Sequence, residues 1–212
     1  MSTEIKRSRG RPRQFDENLV LDAATGVFWR KGLSATTVDD LTIAMGMNKP
    51  SFYRAFGDKE RIYRMTLDRF CGQMEQAMNA TLFTESDLTK AMKAFYTAAV
   101  GVYTSGEQPL GCLLVSTAAC SAPTHPDVQT DLLNVLKVID ASFERRMDNA
   151  RSAGQLPKSF DCKNRARFCQ ALLHSLSVRA RAGERQQELM ELIDAGVDLL
   201  LSPPWQDPTG PY

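Results

Sequence analysis

The sequence has few of the residues and patterns that mark enzymes, metal proteins or disulfide-rich proteins. It has two histidines, His125 and His174, which lie far apart. It has no Gly-rich phosphate loop, no His-Glu-x-x-His and no Gly-x-Ser-x-Gly motif. The five cysteines are odd in number and form no Cys-x-x-Cys pair, which argues against a disulfide framework and a zinc finger. We therefore expect no catalytic centre, no metal site and no cofactor.

Long apolar runs are also absent. No segment approaches the ~18–20 apolar residues that span a bilayer, and the N-terminus lacks the apolar stretch of a signal peptide. Together with the unpaired cysteines, these patterns predict a cytoplasmic protein that does not enter a membrane.

The charge is unevenly distributed along the chain. Residues 1–64 carry twelve Lys and Arg against eight Asp and Glu, while residues 65–212 have a net charge of −3. A basic N-terminal part suggests a polyanion as partner.

The spacing of apolar residues is helical along nearly the whole chain, and no strand or hairpin pattern is present. We predict an all-α fold of about nine helices. Asp16, Thr37 (with Asp40 as capping-box partner) and Asn48 are the expected caps of the first three. The predicted helices run from Asp16 to Gly32, from Thr37 to Gly46, from Asn48 to about Phe56, and over residues 58–82, 86–105, 110–121, 127–153, 162–183 and 185–202.

The second helix, a turn at Gly46 and the third helix form a predicted helix-turn-helix. Phe52 and Phe56 are four residues apart and face the core. Lys49, Ser51, Tyr53 and Arg54 then face outward, as donors for phosphates and base edges. The start of the second helix adds Thr36 and Thr37, and Lys59 lies near the same DNA backbone.

Residues 32–67, GLSATTVDDLTIAMGMNKPSFYRAFGDKERIYRMTL, resemble the DNA-binding domain of the TetR/AcrR family of transcriptional regulators. The resemblance implies phosphate contacts from Thr37, Lys49, Ser51, Tyr53 and Lys59, and places Pro50, Ser51 and Arg54 nearest the bases. Pro50 departs from the small residue usual in the family. The family further implies a homodimer on a near-palindromic operator, most often a repressor that a small-molecule effector releases.

We predict four segments: a flexible basic arm (1–14), the helix-turn-helix domain (15–64), a helical effector-binding and dimerisation domain (65–202) and a Pro-rich tail (203–212). The family resemblance places the effector pocket in the fourth to eighth helices and the dimer interface on the last two. Those two helices have long apolar faces, which we expect to form the interface: Phe168, Leu172, Leu176, Leu189, Leu192, Ile193, Gly196, Leu199 and Leu200.

The arm carries five cations without an acid among them: Lys6, Arg7, Arg9, Arg11 and Arg13. Its Arg-Gly-Arg-Pro segment resembles the core of an AT-hook, which lies in a narrow A·T-rich minor groove. The alternatives are a solubilising basic tail and, for the whole chain, an architectural DNA-binding protein.

Cys112 follows Pro109 and Gly111 where a helix is predicted to begin. Free N–H groups there could lower the thiol pKa, so an alternative function is a thiol-based sensor of electrophiles or oxidants acting through Cys112, with Cys120 eight residues on. A segment like Gly-Cys-Leu occurs in many members of the family, and in some of them the cysteine is such a sensor. The competing interpretation is that Cys112 is a small core residue.

Overall fold

The structure is a computed structural model, and it describes residues 16–106 and 108–202. Over these ranges it has nine α-helices, one π-helical turn and no β-strand, which confirms the predicted all-α fold. The predicted arm and Pro-rich tail lie outside the described residues. The elements are α1 (Glu17–Ala35), α2 (Val38–Ala44), α3 (Lys49–Phe56), α4 (Lys59–Leu82), α5 (Leu88–Tyr103), the π-helix (Leu114–Ala118), α6 (Ala119–Ser121), α7 (Pro126–Ser152), α8 (Cys162–Arg181) and α9 (Gln186–Leu201).

Side-chain caps set the helix starts in the N-terminal part. Asp16 accepts a hydrogen bond from the Asn18 backbone N–H at 3.0 Å, and Asp58 accepts one from the Arg61 N–H at 2.7 Å. These bonds satisfy donors that have no partner inside a helix. The predicted break at Gly32 is also confirmed, since Gly32 has φ 74° and ψ 172° and residues 33–35 add only a short turn.

The head, formed by α1–α3 and the start of α4, packs around large apolar side chains. Phe28, Leu41, Phe52 and Ile62 have no exposed surface, and Phe56 has almost none. Burial of each such side chain contributes roughly 1.5–3 kcal/mol. Because both phenylalanines of α3 point inward, the opposite side of α3 is held at the surface.

The body consists of α5, α7, α8 and α9 with the long α4 alongside. Its centre holds three aromatic rings: Phe95 lies edge-on to Phe143 at 5.4 Å between centroids, and Tyr96 stacks on Phe143 at 6.1 Å. The Tyr96 hydroxyl donates to the Cys169 carbonyl at 2.9 Å. In the described ranges no helix has the length and apolar character needed to cross a bilayer.

The predicted α-helix over residues 110–121 is wrong in detail. Helical structure begins only at Leu113, and a π-helical turn from Leu114 is followed by the short α6. The Thr117 hydroxyl donates to the Leu113 carbonyl at 2.7 Å, a side-chain bond that competes with regular backbone pairing. The Tyr63 hydroxyl of α4 lies 2.7 Å from the same Thr117 oxygen. The π-helix is therefore a point of contact between α4 and the body.

Candidate DNA-binding surface and regulatory body

The start of α2 is held by a complete capping box. The Asp40 N–H donates to the Thr37 hydroxyl oxygen at 3.1 Å, and the Thr37 N–H donates to the Asp40 carboxylate at 3.0 Å. Lys31 lies 2.6 Å from the same carboxylate, and this contact, with the Thr37 bonds, lowers the pKa of Asp40 to about 2. The predicted cap at Thr37 is confirmed, and α2 is fixed relative to α1.

The turn between α2 and α3 is built on Gly46, whose φ of 61° lies in the left-handed region that glycine adopts without strain. The Met47 N–H donates to the Thr42 carbonyl at 3.0 Å. Asn48 then caps α3 by accepting from the Ser51 N–H at 2.9 Å, and Pro50 occupies the first turn, where proline leaves no backbone donor unpaired. The predicted helix-turn-helix is confirmed in its local geometry.

The outer face of α3 presents the predicted side chains to solvent. Lys49, Pro50, Tyr53 and Arg54 are exposed, and Ser51 is half-buried. The Arg54 guanidinium reaches the Ser51 hydroxyl at 3.4 Å, which pre-positions the two side chains together. This face offers charged and neutral donors on a rigid helix, as recognition of phosphates and base edges requires.

Two residues that were predicted to contact DNA, Thr36 and Lys59, form hydrogen bonds inside the protein. Thr36 is 1% exposed and its hydroxyl donates to the Gly32 carbonyl at 2.6 Å, so the expected free hydroxyl at this position is wrong. The non-helical turn at Gly32 brings that carbonyl within reach. The Lys59 ammonium donates to the Thr36 carbonyl at 2.8 Å, which joins α4 to the segment before α2. Thr37 remains exposed.

Two exposed residues of α2 were not predicted to belong to the candidate DNA-binding surface. Asp39 lies 2.7 Å from the Lys49 ammonium, and this hydrogen bond raises the pKa of Lys49. Ile43 is 80% exposed on α2. An acid in the first turn of α2 is visible in the sequence, but its pairing with α3 depends on how the two helices cross.

A pair of neighbouring residues on α4 links the head to the body. Tyr63 contacts Thr117 of the π-helix, and next to it Arg64 forms ion pairs with two carboxylates of α7. Its guanidinium donates to Asp127 at 3.0 Å and binds Asp131 through two nitrogens, in the bidentate geometry that arginine favours. Tyr63 and Arg64 thus join α4 to the π-helix and to α7 within the first two turns of α4.

Comparison with known proteins agrees with this architecture. Residues 20–65 match the family described as bacterial regulatory proteins, tetR family, and residues 89–195 match the tetracyclin repressor-like C-terminal domain. The HTH-type transcriptional repressor ComR of Escherichia coli (strain K12) is 30% identical over 200 residues, which cover 94% of each chain. The chain belongs to the TetR family of bacterial regulatory proteins. It is a DNA-binding transcriptional regulator.

Solved structures of TetR family members share the fold. A cysteine mutant of the regulator CifR, complexed with a 26-base-pair operator DNA, is 29% identical with a TM-score of 0.82, covering 88% of this chain and 98% of that one. The reduced form of E. coli NemR is 20% identical with a TM-score of 0.77, covering 88% and 97%. The second likeness shows the fold alone.

The cysteines of this TetR family member differ sharply in environment. Cys112 is 4% exposed, and burial raises the pKa of its thiol. The backbone N–H groups of Leu114 and Val115 act in the opposite direction, as expected at a helix start, but burial outweighs them. The alternative of an exposed Cys112 with a lowered thiol pKa is therefore contradicted, and the competing interpretation, in which Cys112 is a core residue, is confirmed. Cys120 is exposed.

The predicted dimer face is partly internal. Leu176, Leu189 and Ile193 are buried within the chain where α8 and α9 pack on each other and on α5, so their assignment to the interface is wrong. Leu200 is also largely buried. The remaining surface, which we call the α8–α9 face, forms a groove of about 400 Å³ lined by Arg165, Phe168, Leu172, Leu192, Gly196, Leu199 and Leu200.

The α8–α9 face exposes large apolar side chains. Phe168 is 62% exposed and Leu199 is 71% exposed. Gly196 allows the two helices to approach closely, since a β-carbon there would lie 2.7 Å from a methyl carbon of Leu172 in the same chain. The small residue at this position thus serves packing within one chain.

Proposed function

We propose that this regulator binds a near-palindromic operator as a homodimer, represses transcription, and is released by a small molecule bound in the body. The observation that carries the proposal is the outer face of α3, where exposed cations and hydroxyls lie over two buried phenylalanines. The proposed DNA-contacting residues are Thr37, Lys49, Pro50, Ser51, Tyr53, Arg54 and Lys59. ComR is named a transcriptional repressor, and CifR is complexed with operator DNA, which supports this function.

The two parts of the chain have different proposed roles. Residues 15–64 bind DNA, and residues 65–202 bind the effector and pair with a second copy through the α8–α9 face. We infer a cytoplasmic location and no catalytic activity, because the relatives are transcription regulators. Two-fold symmetry places the paired α3 helices ~34–36 Å apart, or further on a longer operator.

The proposal is tested by mapping bound sites across the genome, followed by binding to the promoter fragment found. Arg54→Ala should lower operator affinity about tenfold, since alanine cannot donate hydrogen bonds to a base edge or a phosphate. The control is Lys163→Ala, which removes an exposed cation at the start of α8. Binding that disappears under excess unrelated DNA would instead indicate an architectural protein.

The arm is tested separately. Deletion of residues 1–13 should weaken operator binding and flatten its salt dependence by ~0.9 log–log units for each phosphate that the arm neutralises in the intact protein. An unchanged affinity and salt slope would leave the arm as a solubilising tail.

A further inference from the structure

An open groove runs between α4 and α7 on the body. It encloses about 300 Å³. Five of its lining side chains are apolar: Met74, Met78, Val135, Val138 and Ile139. Methionine side chains adapt to irregular ligands, so the groove suits apolar ligand groups of variable shape.

Two carboxylates face this groove from α4. Asp68 and Glu75 are seven residues apart, which places them two turns apart on one side of the helix. Neither forms an ion pair or side-chain hydrogen bond with another described residue, and the groove lining contains no Lys, Arg or His. The apolar groove therefore carries two carboxylates that no cation bonds directly, although the charge of Arg64 outside the lining acts on Asp68.

The electrostatics of Asp68 favour a positively charged ligand beside it. Partial burial raises the pKa of Asp68, and the nearby Asp131 raises it further, while Arg64 acts in the opposite direction. A carboxylate that loses hydration and faces a second acid gains from a positive ligand.

A second hollow of about 180 Å³ extends the groove towards the head. It shares Asp68, Cys71, Asn134 and Val135 with the first, and it reaches Asp131. Asp131 is the carboxylate that holds Arg64. A charge placed at this end of the groove lies beside the link between α4 and α7.

We propose that the α4–α7 groove binds an organic cation that carries an apolar group, and that this cation is the effector. Its charge lies against Asp68, at the end of the groove that reaches Asp131, while Glu75 two turns away attracts it at longer range. Its apolar part contacts the methionines and α7. At the head end the ligand competes with Arg64 for Asp131, which loosens α4 from α7 and turns the two α3 helices out of register. The effector role rests on the proposed function, whereas binding to the groove does not.

The test uses benzyltrimethylammonium as the probe, with benzyl alcohol and phenylacetate as neutral and anionic compounds that share its ring. Calorimetry on the DNA-free full chain should give a dissociation constant below about 1 mM for the cation and weaker binding of the other two. Asp68→Asn and Glu75→Gln should each weaken cation binding about three- to tenfold. Glu144→Gln, on α7 outside the groove, is the matched control, and unfolding temperatures verify that each variant folds.

Equal binding of the three compounds, no saturable cation binding, or cation binding unaffected by both groove variants would overturn the proposal. Operator binding is measured in parallel. The cation should release operator from the wild type at lower concentration than from Asp68→Asn, and binding without release would remove the effector assignment. Failure to bind any operator selectively would refute the proposed function instead, since the calorimetry contains no DNA.

Discussion

At the scale of single residues, the pairing of Lys49 with Asp39 predicts that an acid restrains DNA binding. Both side chains are exposed, and their 2.7 Å contact occupies the ammonium that should reach a phosphate. Asp39→Asn should raise operator affinity about two- to fivefold, because it frees Lys49 and removes a negative charge from the DNA-facing surface. Fluorescence anisotropy at several salt concentrations measures this change.

The control for Asp39→Asn is Asp148→Asn, which breaks a partly exposed pair with Arg151 far along α7. Equal effects of the two substitutions, or a loss of affinity in Asp39→Asn alone, would contradict the prediction that Asp39 restrains DNA binding through Lys49. The outward position of Lys49 was predictable from the helical period of α3. Its partner and the burial of Thr36 were not, because they depend on the crossing of α2 and α3 and on the turn at Gly32.

The cysteines give a second prediction at this scale. Burial raises the pKa of Cys112, so at neutral pH its thiolate population is small, and the side chain is also shielded. Iodoacetamide should therefore label the exposed Cys120 in the folded protein well before Cys112. Mass spectrometry of the labelled peptides reads out the order.

Thiol sensing is judged by operator release under a mild electrophile. If release occurs, Cys120→Ser should abolish it and Cys112→Ser should retain it. Faster labelling of Cys112, or release that disappears only in Cys112→Ser, would restore Cys112 as the sensor despite its burial.

At the scale of elements, the contact between α4 and α7 is expected to set the position of the head. Asp131→Asn removes the charge that binds the Arg64 guanidinium through two nitrogens. We expect operator affinity to fall about two- to tenfold with little change in thermal stability, since Arg64 is partly exposed and such pairs contribute little to folding. Anisotropy and thermal unfolding together separate the two effects.

The matched control for Asp131→Asn is Asp194→Asn. Asp194 joins α9 to Lys93 of α5 at 2.8 Å and lies away from the head. If both substitutions changed operator affinity equally, the α4–α7 link would have no special role. Tyr63→Phe tests the second contact: removal of its buried hydrogen bond to Thr117 should cost about 1 kcal/mol of unfolding free energy.

The starts of helices were predictable where the capping side chain is adjacent to the helix in sequence. Asp16, Thr37 and Asn48 each accept a backbone N–H within the next few residues, so no tertiary contact is needed to find them. The π-helical turn was not predictable. The Thr117 hydroxyl donates to the Leu113 carbonyl and also hydrogen-bonds the Tyr63 hydroxyl of α4. Apolar periodicity in the sequence carries no information about this contact between α4 and the π-helix.

At the scale of the whole molecule, the sequence could identify the apolar sides of α8 and α9 but not which chain covers them. Leu176, Leu189 and Ile193 are covered by the same chain, whereas Phe168 and Leu199 are left uncovered. Periodicity reports only that a residue avoids water. Burial in the folded chain is what separates core from candidate interface.

The last prediction concerns that uncovered pair. Phe168→Glu should convert the homodimer into a folded monomer, because a carboxylate on the α8–α9 face would lose its hydration when two copies meet. The nearby Arg165 guanidinium already donates to the carbonyls of Leu199, Leu200 and Ser202, so it offers this carboxylate little compensation. The core should survive, since Phe168 is largely solvent-exposed in the single chain. Light scattering should show half the mass, and operator affinity should fall more than about tenfold because the two α3 helices are no longer joined. Leu133→Glu, on an equally apolar and half-exposed site of α7, should leave both mass and affinity unchanged. A dimer that persists in Phe168→Glu with unaltered operator affinity would place the interface elsewhere on the body.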